Sequence, residues 1–259
     1  MAGEVHLVFD TRASREELWE ACGTRSGLEA WYADRVTGSV SRGAMVRLEW
    51  PELGATLELG VEELRPNELI VLANGKSRVS LAVGDGRIEL THEGLSTEDD
   101  TEGFASSWRV ALATLKHSLE EHPRAPRRTR WAARRAQTSA ELAHLCFTAP
   151  AALDRWLGQN AMMGAEGEAY SLTLASGERM SGRVLCRVAG RDVALSWEEQ
   201  NDSILALRTL PSPRADRERV VAICWSKWGA TEAGEHAIET ELKRSLERLT
   251  AILAMSGQA

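Results

Sequence analysis

Residues 104–119 read FASSWRVALATLKHSL, and their apolar residues recur at the spacing of one helix face. The large apolar side chains follow one another after four, four, three and four residues: Phe104, Trp108, Leu112, Leu115 and Leu119. Polar residues such as Ser107, Arg109 and Lys116 occupy the remaining directions of the helical wheel. The pattern predicts a long amphipathic helix whose apolar face packs against a core.

A second stretch, near the C-terminus, repeats this pattern without a slip. Its apolar residues have the same four spacings: Ile238, Leu242, Leu246, Leu249 and Leu253. Because each half of the chain would end in a helix built to the same template, the sequence predicts two domains related by duplication.

Length and composition favour a globular protein with ordinary cores. The chain has 259 residues, of which 43% are hydrophobic and 27% charged, so it is not disordered by composition. The four cysteines show neither CxxC pairing nor metal-ligand spacing, which is typical of free thiols in a reducing compartment. No segment reaches the roughly 18 apolar residues of a membrane span, and the first residues do not resemble a signal peptide. We therefore expect a cytoplasmic protein without membrane insertion.

The charge is distributed unevenly. Residues 1–122 carry 12 basic and 22 acidic residues, a net charge of −10, whereas residues 123–140 carry six arginines and no acid. An acidic surface repels phosphate backbones, which argues against nucleic acid as a partner. We expect the arginines to pair with the acidic first domain; an external acidic partner and, last, nucleic acid are the alternatives. These arginines are Arg124, Arg127, Arg128, Arg130, Arg134 and Arg135.

The first half predicts one strand, two short helices, about six antiparallel strands and the long helix. Ser14 and Glu17 form a capping-box pattern for the first short helix, and Thr24 can cap the second. Residues 36–95 alternate in the manner of strands and are broken by turn signals such as Asn74-Gly75. Acidic residues precede or open the long helix, where its dipole favours them: Glu98, Asp99, Asp100 and Glu102. A curved sheet over one helix leaves a wedge, which side chains fill or a ligand occupies.

Residues 4–121 resemble the START-like (SRPBCC) superfamily, and within it the branch named for the activator of the heat-shock protein 90 ATPase. The matching segments occur in the family's order: Thr11–Ala21, Leu28–Tyr32, Arg65–Val71, Ile88–Leu95 and Phe104–Leu115. The resemblance implies an α+β fold with two tandem START-like (helix-grip) domains. Each is expected to be a curved antiparallel sheet wrapped around a long C-terminal helix.

The pattern restarts after the proline- and arginine-rich segment. Glu141–Cys146 parallels Glu17–Cys22, and Leu153–Leu157 parallels Leu28–Tyr32. The last strand of the second half, 220–225, lacks the Thr-His-Glu-Gly sequence. We predict a START-like domain at 1–122, a linker at 123–128 and a diverged START-like domain at 129–259. The first domain is the one expected to retain a functional pocket.

The candidate ligand-binding residues are the aromatic and apolar side chains expected around the wedge, together with one histidine. They are Trp31, Tyr32, Trp50, His92, Phe104, Trp108 and Leu112. The same rings suit plain core packing, because tryptophan buries a large area in any domain. His92 alternates with Thr91 and Glu93 and is expected to face the wedge, either as an acid or base or as a structural hydrogen-bonding residue.

The leading functional hypothesis is non-enzymatic binding of a small hydrophobic ligand in the first domain. The family's name suggests an alternative, a chaperone-associated interaction protein with a chaperone as partner. A polyketide cyclase- or hydratase-like enzyme is the third possibility that the superfamily allows. We expect no cofactor and no metal, since the sequence carries no P-loop, GxGxxG, HExxH or GxSxG motif.

Overall fold

The structure is a computed structural model that describes residues 3–96, 100–211, 218–229 and 234–256. The chain divides into two compact units, residues 1–127 and residues 128–259. Each unit has its own sheet and its own hydrophobic core. In the described ranges, no helix has both the length and the apolar character needed to cross a membrane.

The described part of the first unit contains seven strands, three α-helices and a short 3-10 helix at Pro51–Leu53. The strands are β1 (Gly3–Asp10), β2 (Arg35–Gly38), β3 (Met45–Trp50), β4 (Ala55–Arg65), β5 (Leu69–Asn74), β6 (Ser77–Gly84) and β7 (Arg87–Leu95). The helices are α1 (Arg15–Gly23), α2 (Arg25–Trp31) and α3 (Thr101–Glu121). The strands form one antiparallel sheet in the order β1-β7-β6-β5-β4-β3-β2, and α3 shares a core with it.

The second unit repeats this succession of elements. Its strands are β8 (Arg127–Gln137), β9 (Gly158–Met163), β10 (Ala169–Leu174), β11 (Arg179–Arg187), β12 (Val193–Trp197), β13 (Ser203–Pro211) and β14 (Glu218–Trp228). Its helices are α4 (Ala140–Thr148), α5 (Pro150–Trp156) and α6 (Glu235–Ser256). The sheet order, β8-β14-β13-β12-β11-β10-β9, is that of the first unit. The predicted α+β helix-grip arrangement with two domains is therefore confirmed.

The capping residues predicted from sequence mark the beginnings of α1 and α2 correctly. The Ser14 hydroxyl accepts from the Glu17 backbone N–H while the Glu17 carboxylate accepts from the Ser14 N–H at 2.9 Å, a complete capping box. Thr24 caps α2 by accepting from Gly27 at 2.9 Å. Asp100 caps α3, whereas the predicted contribution of Glu98 and Asp99 falls outside the described residues.

One turn is shifted by a residue from the prediction. Asn74 still pairs with Ser77 in the sheet, so the two loop residues are Gly75 and Lys76. Gly75 has φ +59°, the left-handed conformation that glycine adopts without strain. The Asn74 side chain instead donates to the Glu58 carbonyl oxygen at 3.1 Å, which holds it in the strand.

The two units also share particular hydrogen bonds. The Trp31 indole donates to the carbonyl oxygen of Ala21 at 3.1 Å, and the Trp156 indole donates to that of Cys146 at 2.9 Å. In each pair the indole lies ten residues after the acceptor and ties two short helices together. Such repeated detail agrees with the duplication hypothesis, which stays a prediction.

The apolar faces of the two long helices are buried to different extents. All five predicted positions of α6 are buried, at most 3% exposed. In α3, Trp108, Leu112 and Leu115 are buried, but Leu119 is half-buried and Phe104 is 38% exposed. The expectation that the whole face of α3 packs into the core is therefore wrong at Phe104, which lies in the first turn and has its ring packed edge-on against His92.

The predicted partner of the arginine-rich segment is largely wrong. Arg127 does pair with an acid of the first unit, Asp34. Other arginines pair with glutamates of the second unit: Arg128 with Glu235, Arg130 with Glu239, Arg134 with Glu247 and Arg135 with Glu218. These glutamates lie on α6 or on β14, the strand beside β8, so the arginines are used inside their own unit.

Candidate functional site

A connected group of rings joins the two short helices, the sheet and the long helix of the first unit. We call it the aromatic cluster; its members are Trp31, Tyr32, Trp50, His92, Phe104 and Trp108. They come from the end of α2, the end of β3, the C-terminal half of β7 and the N-terminal half of α3. The structure thus brings six of the seven predicted site residues into contact, and Leu112 lies one turn further along α3 in the same core.

Tyr32 is the centre of the cluster. Its ring stacks on Trp108 with centroids 4.9 Å apart and an interplanar angle of 18°, and it meets Trp50 edge-on at 5.6 Å. The centroid of the Trp31 ring lies 5.2 Å from that of the Tyr32 ring, and the two rings are tilted by 33°. The Trp50 indole N–H also donates to the Tyr32 carbonyl oxygen at 3.2 Å. These contacts hold Tyr32 in one orientation.

His92 is a buried hydrogen-bonding residue in this cluster. Its Nδ1 accepts from the Trp108 indole N–H at 3.1 Å, and its Nε2 lies 2.8 Å from the Ser77 hydroxyl. Because an indole nitrogen can only donate, Nδ1 carries no proton and the Nε2 proton points at Ser77. The neutral imidazole therefore fixes the orientation of Trp108, the structural role that the sequence left open as one of two.

The cluster runs from the core to the surface. Trp31 and Trp108 are buried, Tyr32 and Trp50 are half-buried, and Phe104 is the exposed end. Other half-buried apolar residues pack against the same core, among them Leu7, Phe9, Val40, Leu57, Leu64, Ala105 and Ala111. Within the aromatic cluster itself, the partly covered rings are those of Tyr32, Trp50 and Phe104.

The corresponding place in the second unit is closed. Ser77 is the first residue of β6, and Ser203 is the first residue of the corresponding strand, β13. The next residue of each strand pairs with the last strand of its sheet, Arg78 with Glu93 and Ile204 with Ser226. The residues that precede Glu93 and Ser226 therefore correspond to each other. By this register Ser203 takes the place of Ser77 and Trp225 that of His92. The Trp225 indole N–H donates to the Ser203 hydroxyl at 2.9 Å. The centroid of the Trp225 ring lies 5.9 Å from that of Trp197, which is fully buried.

Cys22 and Cys146 offer little reactive chemistry. Burial raises the pKa of the Cys22 thiol to about 12 and also raises the pKa of Cys146, so both remain protonated. Among the described residues, no group of three or more His, Cys, Asp or Glu side chains is arranged to hold a metal ion.

Two residues that matter here were missed from sequence. Ser77 is recognisable only once the β6–β7 register is known, because nothing local marks a serine at the start of a strand. Arg127 was counted in the arginine-rich segment, yet its side chain is only 5% exposed, and its guanidinium pairs with Asp34 and donates to the Trp31 carbonyl oxygen. Nothing local distinguishes it, since Arg127 directly follows Pro126 and stands beside Arg128 in the same basic segment.

Comparison with known proteins finds solved structures that resemble this chain in fold. No protein-family model and no curated protein matches the chain. DynU16, a putative protein of the dynemicin biosynthetic locus, is 14% identical over 98% of this chain and 99% of its own, with a TM-score of 0.42. BexL, a di-domain ARO/CYC of the BE-7585A pathway, is 14% identical over 97% and 98%, with a TM-score of 0.43. The Aha1 dimer from Colwellia psychrerythraea is 21% identical over 45% of this chain and 96% of its own, with a TM-score of 0.41. At TM-scores this low, no conclusion about the function of this chain follows.

Proposed function

We propose that the first unit binds a small hydrophobic molecule at the aromatic cluster. One observation carries the proposal: connected rings lead from the buried Trp108 through the half-buried Tyr32 and Trp50 to the surface. Large apolar side chains grouped at a surface are more informative than scattered ones, because their exposure is unfavourable until something covers them. A ligand lying against these rings would remove that exposure.

The cluster is suited to binding because its rings are already ordered. Tyr32 is held by three neighbouring rings, and the hydrogen bond from Trp108 to His92 fixes the ring on which Tyr32 stacks. A ligand would therefore immobilise few side chains, which reduces the entropic cost of association. The flat faces and edges of the rings suit an apolar or aromatic molecule.

The environment of His92 supports binding rather than catalysis. A general base needs a ring nitrogen within reach of the proton it removes. Here Nδ1 already accepts from Trp108, and Nε2 is bonded to Ser77. An enzyme acting through His92 would first have to break a buried hydrogen bond.

Native mass spectrometry of the full-length protein as purified, followed by solvent extraction, tests the proposal. We expect one discrete apolar adduct per chain, and its loss or marked reduction in a Phe104→Ser variant. Leu145→Ser is the matched control, since Leu145 is also an exposed apolar residue of a helix but belongs to the second unit. An adduct that survives Phe104→Ser, or disappears equally in Leu145→Ser, would contradict the proposal.

An empty protein would also count against ligand binding. It would favour the alternative, a chaperone-associated interaction protein, and a chaperone pull-down with the same two variants would then be the next experiment.

A further inference from the structure

A cavity of about 280 Å³ lies between α1, α2, the C-terminal end of α3 and the segment 123–127. Its lining shares no residue with the aromatic cluster. The helices contribute mainly small side chains to its walls: Ala21, Gly27, Ala30 and Ser118. Leu119, Pro123 and Pro126 add apolar surface. The volume suits a small molecule of compact shape.

The segment that covers this cavity is anchored by a buried arginine. The Arg127 guanidinium donates to the Trp31 carbonyl oxygen and lies 3.4 Å from Asp34 Oδ1, and both side chains are largely buried. A second residue of the segment, Arg124, has φ +61°, a conformation that a side chain other than glycine rarely adopts. The cover of the cavity is thus built into the fold of the first unit.

Charge is unbalanced around the cavity. Arg127 pairs with Asp34, and the Ser14 hydrogen bonds together with the smaller influence of the Arg124 charge lower the pKa of the Glu17 carboxyl. Two further carboxylates also line the cavity, those of Glu20 and Glu29. The Glu29 carboxylate is held in place by accepting from the Val36 N–H at 2.7 Å. The first 122 residues carry a net charge of −10, which adds to the attraction for a cation.

We propose that this cavity binds a small organic cation, namely an amine with a compact apolar body. The ammonium group faces the Glu20 and Glu29 carboxylates, and the body lies against Ala30, Leu119 and Pro123. This inference does not depend on ligand binding at the aromatic cluster.

The second unit supports the choice of charge. The sequence alignment of the halves places Leu145 at the position of Ala21 and Arg155 at that of Ala30. The counterpart of Glu29, Asp154, accepts from the Ala161 N–H at 2.8 Å, just as Glu29 accepts from Val36. Next in sequence to this shared acceptor the second unit has the guanidinium of Arg155, whereas the first unit has the methyl group of Ala30 and an open volume.

Calorimetric titration of the full-length protein with cyclohexylamine tests the proposal, and cyclohexanol provides a neutral probe of nearly the same shape. We expect saturable binding of one amine per chain with a Kd of about 1 mM, and binding of the alcohol about tenfold weaker. Equal affinity for the two probes, or no saturable binding of the amine, would overturn the proposal.

Two variants locate the site. Glu20→Gln should weaken amine binding about fivefold, since it removes one partly screened carboxylate. Glu16→Gln is the control, because Glu16 lies on the same helix, is exposed and does not line the cavity. Ala30→Leu should abolish binding by filling the cavity, while far-UV circular dichroism checks that the variant folds. Wild-type affinity in both Glu20→Gln and Ala30→Leu would place the amine elsewhere and refute the inference.

Discussion

The two units have the same order of strands and helices, yet one core is closed and the other is partly open. In the second unit the last strand places Trp225 beneath the long helix, where its indole bonds to Ser203 and its ring packs near Trp197. In the first unit the same position holds His92, which reaches Trp108 of α3 through a hydrogen bond. On one side of His92 the cluster ends at the exposed Phe104, and on the other side it continues through Trp108 to the half-buried Tyr32.

This difference teaches how one fold can have either a filled core or a core whose rings extend to the surface. Exchanging an indole for an imidazole at a single position on β7 or β14 changes which neighbouring ring is held and where it points. The backbone topology is unaffected, because the register of the last two strands is the same in both sheets. Function on a shared fold is decided by such side chains.

The largest expected effect comes from the closed core. Trp225→Ala should lower the free energy of unfolding of the second unit by about 3–5 kcal/mol, since it empties a fully buried site. Trp50→Ala, in the half-buried part of the aromatic cluster, should cost only about 1.5 kcal/mol. Urea unfolding of both variants, followed by circular dichroism, measures the two losses. Equal losses would remove the distinction between a closed and an open core.

The next effect concerns the arginine that binds the carbonyl oxygen at the end of the second short helix. Arg127 does this in the first unit and Arg248, from α6, does it in the second at 2.8 Å. Arg127→Ala should cost about 3 kcal/mol, because it leaves Asp34 buried without this charge partner. Arg248 is 37% exposed, so Arg248→Ala should cost about 1 kcal/mol.

Thermal and urea unfolding of residues 1–127 and 1–122 provide an independent check. The shorter fragment lacks Arg127 and should be less stable by a similar amount. Indistinguishable fragments would show that Arg127 contributes nothing to the first unit.

A smaller effect is expected at the position that differs between the cores. His92→Leu removes the acceptor of the buried Trp108 N–H and should cost about 2 kcal/mol. The double variant His92→Leu/Trp108→Phe should recover part of the sum of the single losses, with a coupling of about 1 kcal/mol. Strict additivity of the two changes would mean that the hydrogen bond does not stabilise the protein.

The smallest effect is pH-dependent and concerns α1. The Ser14 backbone N–H, and then its hydroxyl, bond to the Glu17 carboxylate and lower its pKa below the ordinary value of 4.5. A lowered pKa in the folded state stabilises the protein above the ordinary value, and this contribution is lost as the pH falls through the folded pKa. Glu17→Gln should therefore cost about 0.5 kcal/mol at neutral pH and progressively less below about pH 4.5.

Thr24→Ala is the control for this pH dependence. It removes the cap of α2 and should cost about 1 kcal/mol at every pH, because no titrating group takes part in the Thr24–Gly27 bond. A loss in Glu17→Gln that stays constant between neutral and acid pH would contradict the assigned role of Glu17.

Much of the fold could be predicted because its signals are local. The capping residues Ser14 and Thr24 bond within three residues, and the helix faces follow from a spacing of three or four. The cluster residues were also foreseen, since large rings on α3, β7 and α2 must meet where a helix packs on a sheet. Their degree of exposure was not foreseen, because Phe104 and Trp108 lie on the same helix face and differ only in what covers them.

By itself the sequence determined the elements, their order and the alternation that turns His92 inward, since these depend on residues close together along the chain. The tertiary structure alone decided that Nδ1 of His92 accepts from Trp108, 16 residues away, and that Arg127 closes on Trp31, 96 residues away. It also decided that the segment after α3 covers a cavity. Such contacts depend on how sheet and helices are placed in space, and residue spacing carries no record of that placement.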